Sequence, residues 1–217
     1  MFDPEELAQH LKKPSGEMGL KIADFMNKGN KFINLITIDN LPLKDNDKVL
    51  EMGFGNGFFI KNLLDKKENI TYYGVDYSDL MVEEANKLNQ DLVKKNKVIL
   101  NYGDIKNQNF NENFFDIIFG INIIYFWENP IDILNSLYKI LKPNGVICIS
   151  IRTKERMKDL KFTNFGFNLY SIDDVVELYN KTGFKLLKSI HEIEPERVIE
   201  GMPKVIVDSA CILGIKE

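Results

Sequence analysis

Apolar positions recur along this chain with two different periods, and the change from one to the other divides it. From Phe2 to about Asn40 they return every three or four residues. Ile22, Phe25, Met26, Ile33 and Ile36 fall on one stripe, the mark of amphipathic helix. Asp3-Pro4-Glu5-Glu6 predicts a helix start, with Asp3 as N-cap, proline at the first helical position and acids in the first turn. Lys13-Pro14-Ser15-Gly16 breaks that helix, and Gly29-Asn30 interrupts the next.

From Asp47 onward short apolar runs alternate with helical patterns. Strands are predicted over 48–52, 71–75, 97–102, 115–121 and 146–151. Helices are predicted over 58–64, 78–90 and 130–141, with Ser78 as a cap and Lys142-Pro143-Asn144-Gly145 as the stop of the last. Strands apolar on both faces belong in a parallel sheet with helices on each side. After a helix over 172–181 the alternation ends. Two further strands, 184–193 and 204–215, follow with no helix between them. They pair antiparallel, because a parallel crossover needs a dozen or more residues and usually a helix. The expected organisation is one domain over 1–217, with a helical cap over 1–40 and an α/β core over 41–217.

Composition narrows the class. A chain of 217 residues with 44% hydrophobic and 28% charged content can bury a single core. Lys+Arg 28 against Asp+Glu 32 leaves a net charge of −4, so no global field draws it to nucleic acid or to an anionic membrane. The early acids and the lack of an apolar run of membrane-spanning length predict a cytoplasmic protein. Cys148 and Cys211 lie in strand-like runs without the spacing of a disulfide framework or a metal site, so both read as small core residues and no metal is expected.

The sharpest local signal is Glu51-Met52-Gly53-Phe54-Gly55-Asn56-Gly57, directly after the first predicted strand. Three glycines at alternate positions allow a tight turn and close approach of backbone to a ligand. Such a turn stands where open α/β sheets bind ligands. A dinucleotide fingerprint would need glycine at the place of Phe58, which disfavours a nicotinamide enzyme. Asp76 ends the second strand, 76 − 57 = 19 residues past the last glycine, where a carboxylate can accept both hydroxyls of a ribose. Asp104 follows the third strand, and an acid there can accept the exocyclic amine of an adenine. Glu51, Asp76 and Asp104 at adjacent strand ends repel a pyrophosphate and suit a ligand with cationic centres and many donors.

On these residues the chain resembles the class I S-adenosylmethionine-dependent methyltransferases, in their small-molecule branch. The matching stretches are VLEMGFGNG at 49–57, GVDYS at 74–78, YGDI at 102–105, FDIIFGINIIYFW at 115–127 and LKPNGVICIS at 141–150, in order, within a resemblance running from about Lys12 onward. The resemblance implies a Rossmann-like, doubly wound seven-stranded sheet of order 3-2-1-4-5-7-6, the last strand antiparallel. It also implies that S-adenosyl-L-methionine is the cofactor. Gly53, Gly55 and Gly57 would line its methionine part with Glu51 close by, Asp76 would hold the ribose, Asp104 and Ile105 the adenine, and Tyr77 and Met81 would pack beside them. LKKPSG resembles the segment that helps close the site in that branch.

The acceptor side is less determined. Asn122, Tyr125, Phe126 and Trp127 follow the fourth strand and read either as an acceptor pocket with aromatic faces or as a hydrophobic plug. Residues 154–170 mix bases and aromatics, which fits a lid or an exposed connection with docked aromatics. His10 and His191 read as surface or structural, so no general base is assigned. NIIYFWENP replaces the Asn-Pro-Pro-Tyr type of box, and no Pro-Cys nucleophile exists, which favours a small-molecule acceptor. The chain gives no strong nucleic-acid signal, and a monomer or homodimer with no membrane partner is expected. A non-catalytic cofactor-binding module and a nucleic-acid or protein methyltransferase remain the alternatives.

Overall fold

A computed structural model describes residues 2–195 and 206–217. Three helices come first: α1 (Pro4–Lys12), α2 (Gly16–Gly29) and α3 (Lys31–Asn40). Asp3 caps α1 as predicted, its carboxylate accepting from the N–H groups of Glu5 and Glu6 at 3.0 and 3.1 Å.

The core then runs β1 (Lys48–Met52), α4 (Ile60–Leu64), β2 (Thr71–Asp76), α5 (Asp79–Leu88), α6 (Gln90–Lys94), β3 (Val98–Tyr102), β4 (Phe115–Ile121), α7 (Pro130–Ile140), β5 (Leu141–Ile151), α8 (Lys154–Met157), α9 (Ile172–Lys181), β6 (Phe184–Ile193) and β7 (Asp208–Lys216). The seven strands form one sheet of order β3-β2-β1-β4-β5-β7-β6. β1 pairs parallel with β2 and β4, whereas β7 runs antiparallel to both β5 and β6. This is the order and sense that the resemblance implies. β2 and β3 are added on one side of β1 and β4 onward on the other, and this switch in strand order is the place where open α/β sheets leave a crevice at their strand ends.

The two-faced burial that predicts a covered sheet is visible residue by residue. Leu50, Ile118, Ile147 and Ile212 pack into the cluster beneath α7 and α9. Their neighbours Val49, Ile117, Cys148 and Leu213 pack into the cluster on the other face, with Ile33 of α3 and Ile60 of α4. Burying one such side chain is worth roughly 1.5–3 kcal/mol, so neither face is dispensable. Cys148 and Cys211 are buried free thiols in that second layer.

Several boundaries differ from expectation. The helix read over 78–90 breaks at Asn89, whose amide donates to the carbonyls of Ala85 and Gly57 at 3.0 and 3.1 Å and so ties the helix end to the glycine turn. β5 begins at Leu141 rather than at 146, because Lys142-Pro143-Asn144-Gly145 passes through an irregularity in the strand, with Asn144 at φ 61°. Of the last predicted strand, Lys204 and Val205 lie outside the described residues.

Candidate functional site

The turn after β1 is held in left-handed backbone by all three glycines: Gly53 at φ 70°, Gly55 at 59° and Gly57 at 70°. They serve different ends. A Cβ on Gly53 would overlap Cγ2 of Ile123, and one on Gly57 would lie 2.8 Å from Cβ of Ala85 and from the amide of Asn89. Only at Gly55 is the space open, with nothing within 4 Å. Gly55 and Gly53 border a cavity of about 580 Å³, whereas Gly57 lies outside its lining and packs the turn against α5.

The acids expected at the strand ends converge on this cavity. Glu51, Asp76 and Asp104 all border it, together with Tyr77, Met81 and Ile105. Asp76 is buried, and its two oxygens accept from the N–H of Gly55 at 2.8 Å and of Ser78 at 2.9 Å. One carboxylate thereby shapes both the glycine turn and the start of α5, and it keeps lone pairs for a ligand. Burial raises its pKa to about 6, against the lowering effect of those N–H donors. Glu51 is buried too and accepts the Tyr72 hydroxyl at 2.6 Å. Burial lifts its carboxyl to about 7; the Tyr72 hydrogen bond opposes this and the nearby Asp76 adds to it. Asp104 is half-buried and accepts the Lys106 N–H at 2.9 Å. Met81 is buried, whereas Tyr77 is exposed under the ammonium of Lys13, 5.2 Å from its ring centroid.

The N-terminal helices close the cavity from above. Ser78 donates its hydroxyl to the carbonyl of Pro14 at 2.6 Å, which latches the α1–α2 connection over the strand ends. On the far side, Asn122 sits at φ 58° after β4, and Tyr125, Phe126 and Trp127 join it in the wall. The Tyr125 hydroxyl donates to the Arg152 carbonyl at 2.9 Å and accepts the Arg152 N–H at 2.6 Å, so it works as a strut between two loops. Burial pushes its pKa further up, away from any role as a base. The segment after β5 brings Phe162 and Phe167 to the same wall; the Phe167 ring is 4.7 Å from that of Phe126. Of the two readings of residues 154–170, these contacts match a connection with docked aromatics.

Sequence reasoning missed several residues here. His10 borders the cavity, its Nδ1 accepting the Ser15 N–H at 3.4 Å. His191 lies elsewhere, with Nε2 2.8 Å from Asp208. Arg152, Asn30 and Asn34 also line the cavity. Nothing local marks them, since the Arg152 guanidinium finds its partners in Glu194 and in Asn30 of the helical cap.

A turn open at Gly55, with three carboxylates bordering the cavity at a sheet crevice, suits a ligand that carries positive charge and hydrogen-bond donors. Comparison with known proteins agrees. The family profile described as "Methyltransferase domain" matches residues 50–149. The uncharacterized methyltransferase YdaC of Bacillus subtilis is 29% identical over 126 residues, 58% of this chain and 67% of its own. Malonyl-acyl-carrier protein O-methyltransferase of Calditerrivibrio nitroreducens is 31% identical over 150 residues, 68% of this chain; the chain spans only 56% of that relative's length. The methyltransferase solved in complex with the Trm112 activator of Haloferax volcanii superposes with a TM-score of 0.76 at 16% identity, over 89% of this chain and 92% of that one, a likeness of fold. These findings support a class I S-adenosylmethionine-dependent methyltransferase enzyme with S-adenosyl-L-methionine as its cofactor.

Proposed function

We propose that this chain, acting as one unit over 1–217, methylates a small-molecule acceptor. The observation that carries this reading is a single cavity running from the glycine turn to an aromatic wall roofed by the N-terminal helices. A site continuous with that chamber fits a compact acceptor better than a polymer, and at about 580 Å³ it lies within the range of small-ligand pockets. When bound, S-adenosylmethionine supplies a methyl group on a cationic sulfur, already activated for in-line displacement.

The chain's own contribution is to hold, orient and exclude water. Glu51, Gly53 and Gly55 hold the methionyl part, with Glu51 facing positive charge. Asp76 accepts from the ribose hydroxyls with the lone pairs that Gly55 and Ser78 leave. Asp104 and Ile105 hold the adenine, and Tyr77 and Met81 pack against the nucleoside. Gly57 shapes the turn from outside the cavity. Asn122, Tyr125 and Trp127 bound the acceptor end, where alignment by itself can supply roughly 7–11 kcal/mol of the barrier. Among the described residues no helix is long and apolar enough to cross a membrane.

Incubation of the protein with a methyl-labelled donor and fractionated cell extract tests the reading. Label is expected in the low-molecular-weight fraction; label confined to RNA or protein refutes the small-molecule assignment. A thermal shift with S-adenosylhomocysteine, lost in Asp76→Ala, tests the ribose assignment separately.

A further inference from the structure

The cavity has two ends of different character. At the glycine turn the carboxylates of Glu51, Asp76 and Asp104 border it. At the other end Met26, Trp127, Phe162 and Phe167 make an apolar and aromatic wall. The cation built into that wall is Arg152, and its charge is already answered. Its Nε and Nη2 donate to Oε1 of Glu194 at 3.1 and 3.0 Å, and the Glu194 side chain is 1% exposed. Nη1 donates to Oδ1 of Asn30 at 2.9 Å and Nη2 to the Gly29 carbonyl at 2.8 Å. Of the five guanidinium N–H groups four are engaged, so an incoming anion finds one donor and a neutralised pair.

Asn34 stands on α3 beside this pair. It borders the cavity and is 9% exposed. Its amide nitrogen donates to the Asn30 carbonyl at 2.8 Å, which settles which end of the amide is which. Its carboxamide oxygen has no partner among the described residues. A buried acceptor left without a donor is costly unless something supplies one, and the cavity is where that donor can come from.

We infer that the acceptor is an uncharged molecule with an apolar or aromatic body, and that it presents an O–H or N–H donor to the carboxamide oxygen of Asn34. The inference rests on the proposed function and names the substrate class of the same site. An anionic head would be dehydrated against a guanidinium already paired with Glu194, with little return, and a cationic head would lie next to that same guanidinium. A neutral donor satisfies Asn34 at no such cost. A polar group that demands a partner selects strongly, because an analogue lacking that partner leaves it buried and unpaired.

The test uses the full chain saturated with S-adenosylhomocysteine and titrated calorimetrically with matched probes: phenylacetamide, phenylacetate and phenethylammonium, and the three indole counterparts. The amide is expected to bind at least about tenfold tighter than either charged partner of the same body. Asn34→Ala is expected to erase that preference. Tighter binding of a carboxylate or an ammonium, an amide preference that survives Asn34→Ala, or no binding of any probe at millimolar concentration overturns the inference. Should the variant not fold, the ranking in the unaltered protein decides. Failure of S-adenosylhomocysteine itself to bind would instead strike the cofactor-site reading.

Discussion

Binding of the cofactor should release protons, and the buried carboxylates say how many and over what pH range. In the unliganded protein Glu51 titrates near 7 and Asp76 near 6, both raised chiefly by burial. A cationic ligand beside them favours the ionised form and pulls both values down. If Glu51 returns to its ordinary value of 4.5, affinity at about pH 5.5 falls roughly 30-fold below that at about pH 8, or about 2 kcal/mol. Asp76 adds a smaller factor in the same direction. The stability of the unliganded chain has the opposite sign: a carboxyl whose pKa is raised on folding stabilises below its unfolded value and loses that contribution as pH climbs through the folded one. Glu51 therefore makes the unliganded protein less stable between about pH 4.5 and pH 7, and ligand binding offsets the loss. Calorimetric titration with S-adenosylmethionine in two buffers of different ionisation enthalpy counts the protons directly. Somewhat more than one proton is expected to leave near pH 6, most of it from Glu51, and Glu51→Gln should flatten most of the pH dependence. Affinity that is constant from acid to neutral pH, or net proton uptake, would refute the reasoning.

Other perturbations separate the parts of the site. Gly53→Ala combines a left-handed backbone with overlap against Ile123, so it should lower thermal stability more than Gly55→Ala, where backbone strain of about 1–2 kcal/mol arises and the added Cβ, entering the open space of the cavity, should act chiefly on cofactor affinity. Equal effects in melting and binding assays would contradict the distinction. Phe167→Ala removes one ring of the aromatic wall and is expected to raise the acceptor's KM while leaving S-adenosylhomocysteine affinity intact. Tyr179→Phe tests the sheet rather than the site. The Tyr179 hydroxyl accepts the Ile149 N–H at 3.1 Å and donates to the Ile212 carbonyl at 3.0 Å, so its loss should cost about 1–3 kcal/mol in denaturant unfolding without moving cofactor affinity.

Much of this molecule was legible before any coordinates. Helix starts at Asp3 and Ser78, strand spans such as Phe115–Ile121, and the antiparallel pairing of β6 with β7 all follow from local period, capping chemistry and connection length. These signals survive in a linear string because each involves residues a few positions apart. The glycines and strand-end acids were legible for the same reason, with strand ends in a parallel sheet gathering at one edge.

Tertiary structure decided what no short stretch records. Gly53, Gly55 and Gly57 look alike in sequence; only the positions of Ile123, Ala85 and Asn89 show that two are needed for packing and one faces open space. Tyr125 reads as a pocket phenol until its hydroxyl is found tied to the backbone of Arg152. Arg152 itself is silent in sequence, since its partners Asn30 and Glu194 stand 122 and 42 positions away on either side. Period and capping are local properties of a chain, whereas burial, and with it the raised pKa of Glu51 and the Asn34 oxygen left without a partner among the described residues, is a property of what distant segments bring to the same place.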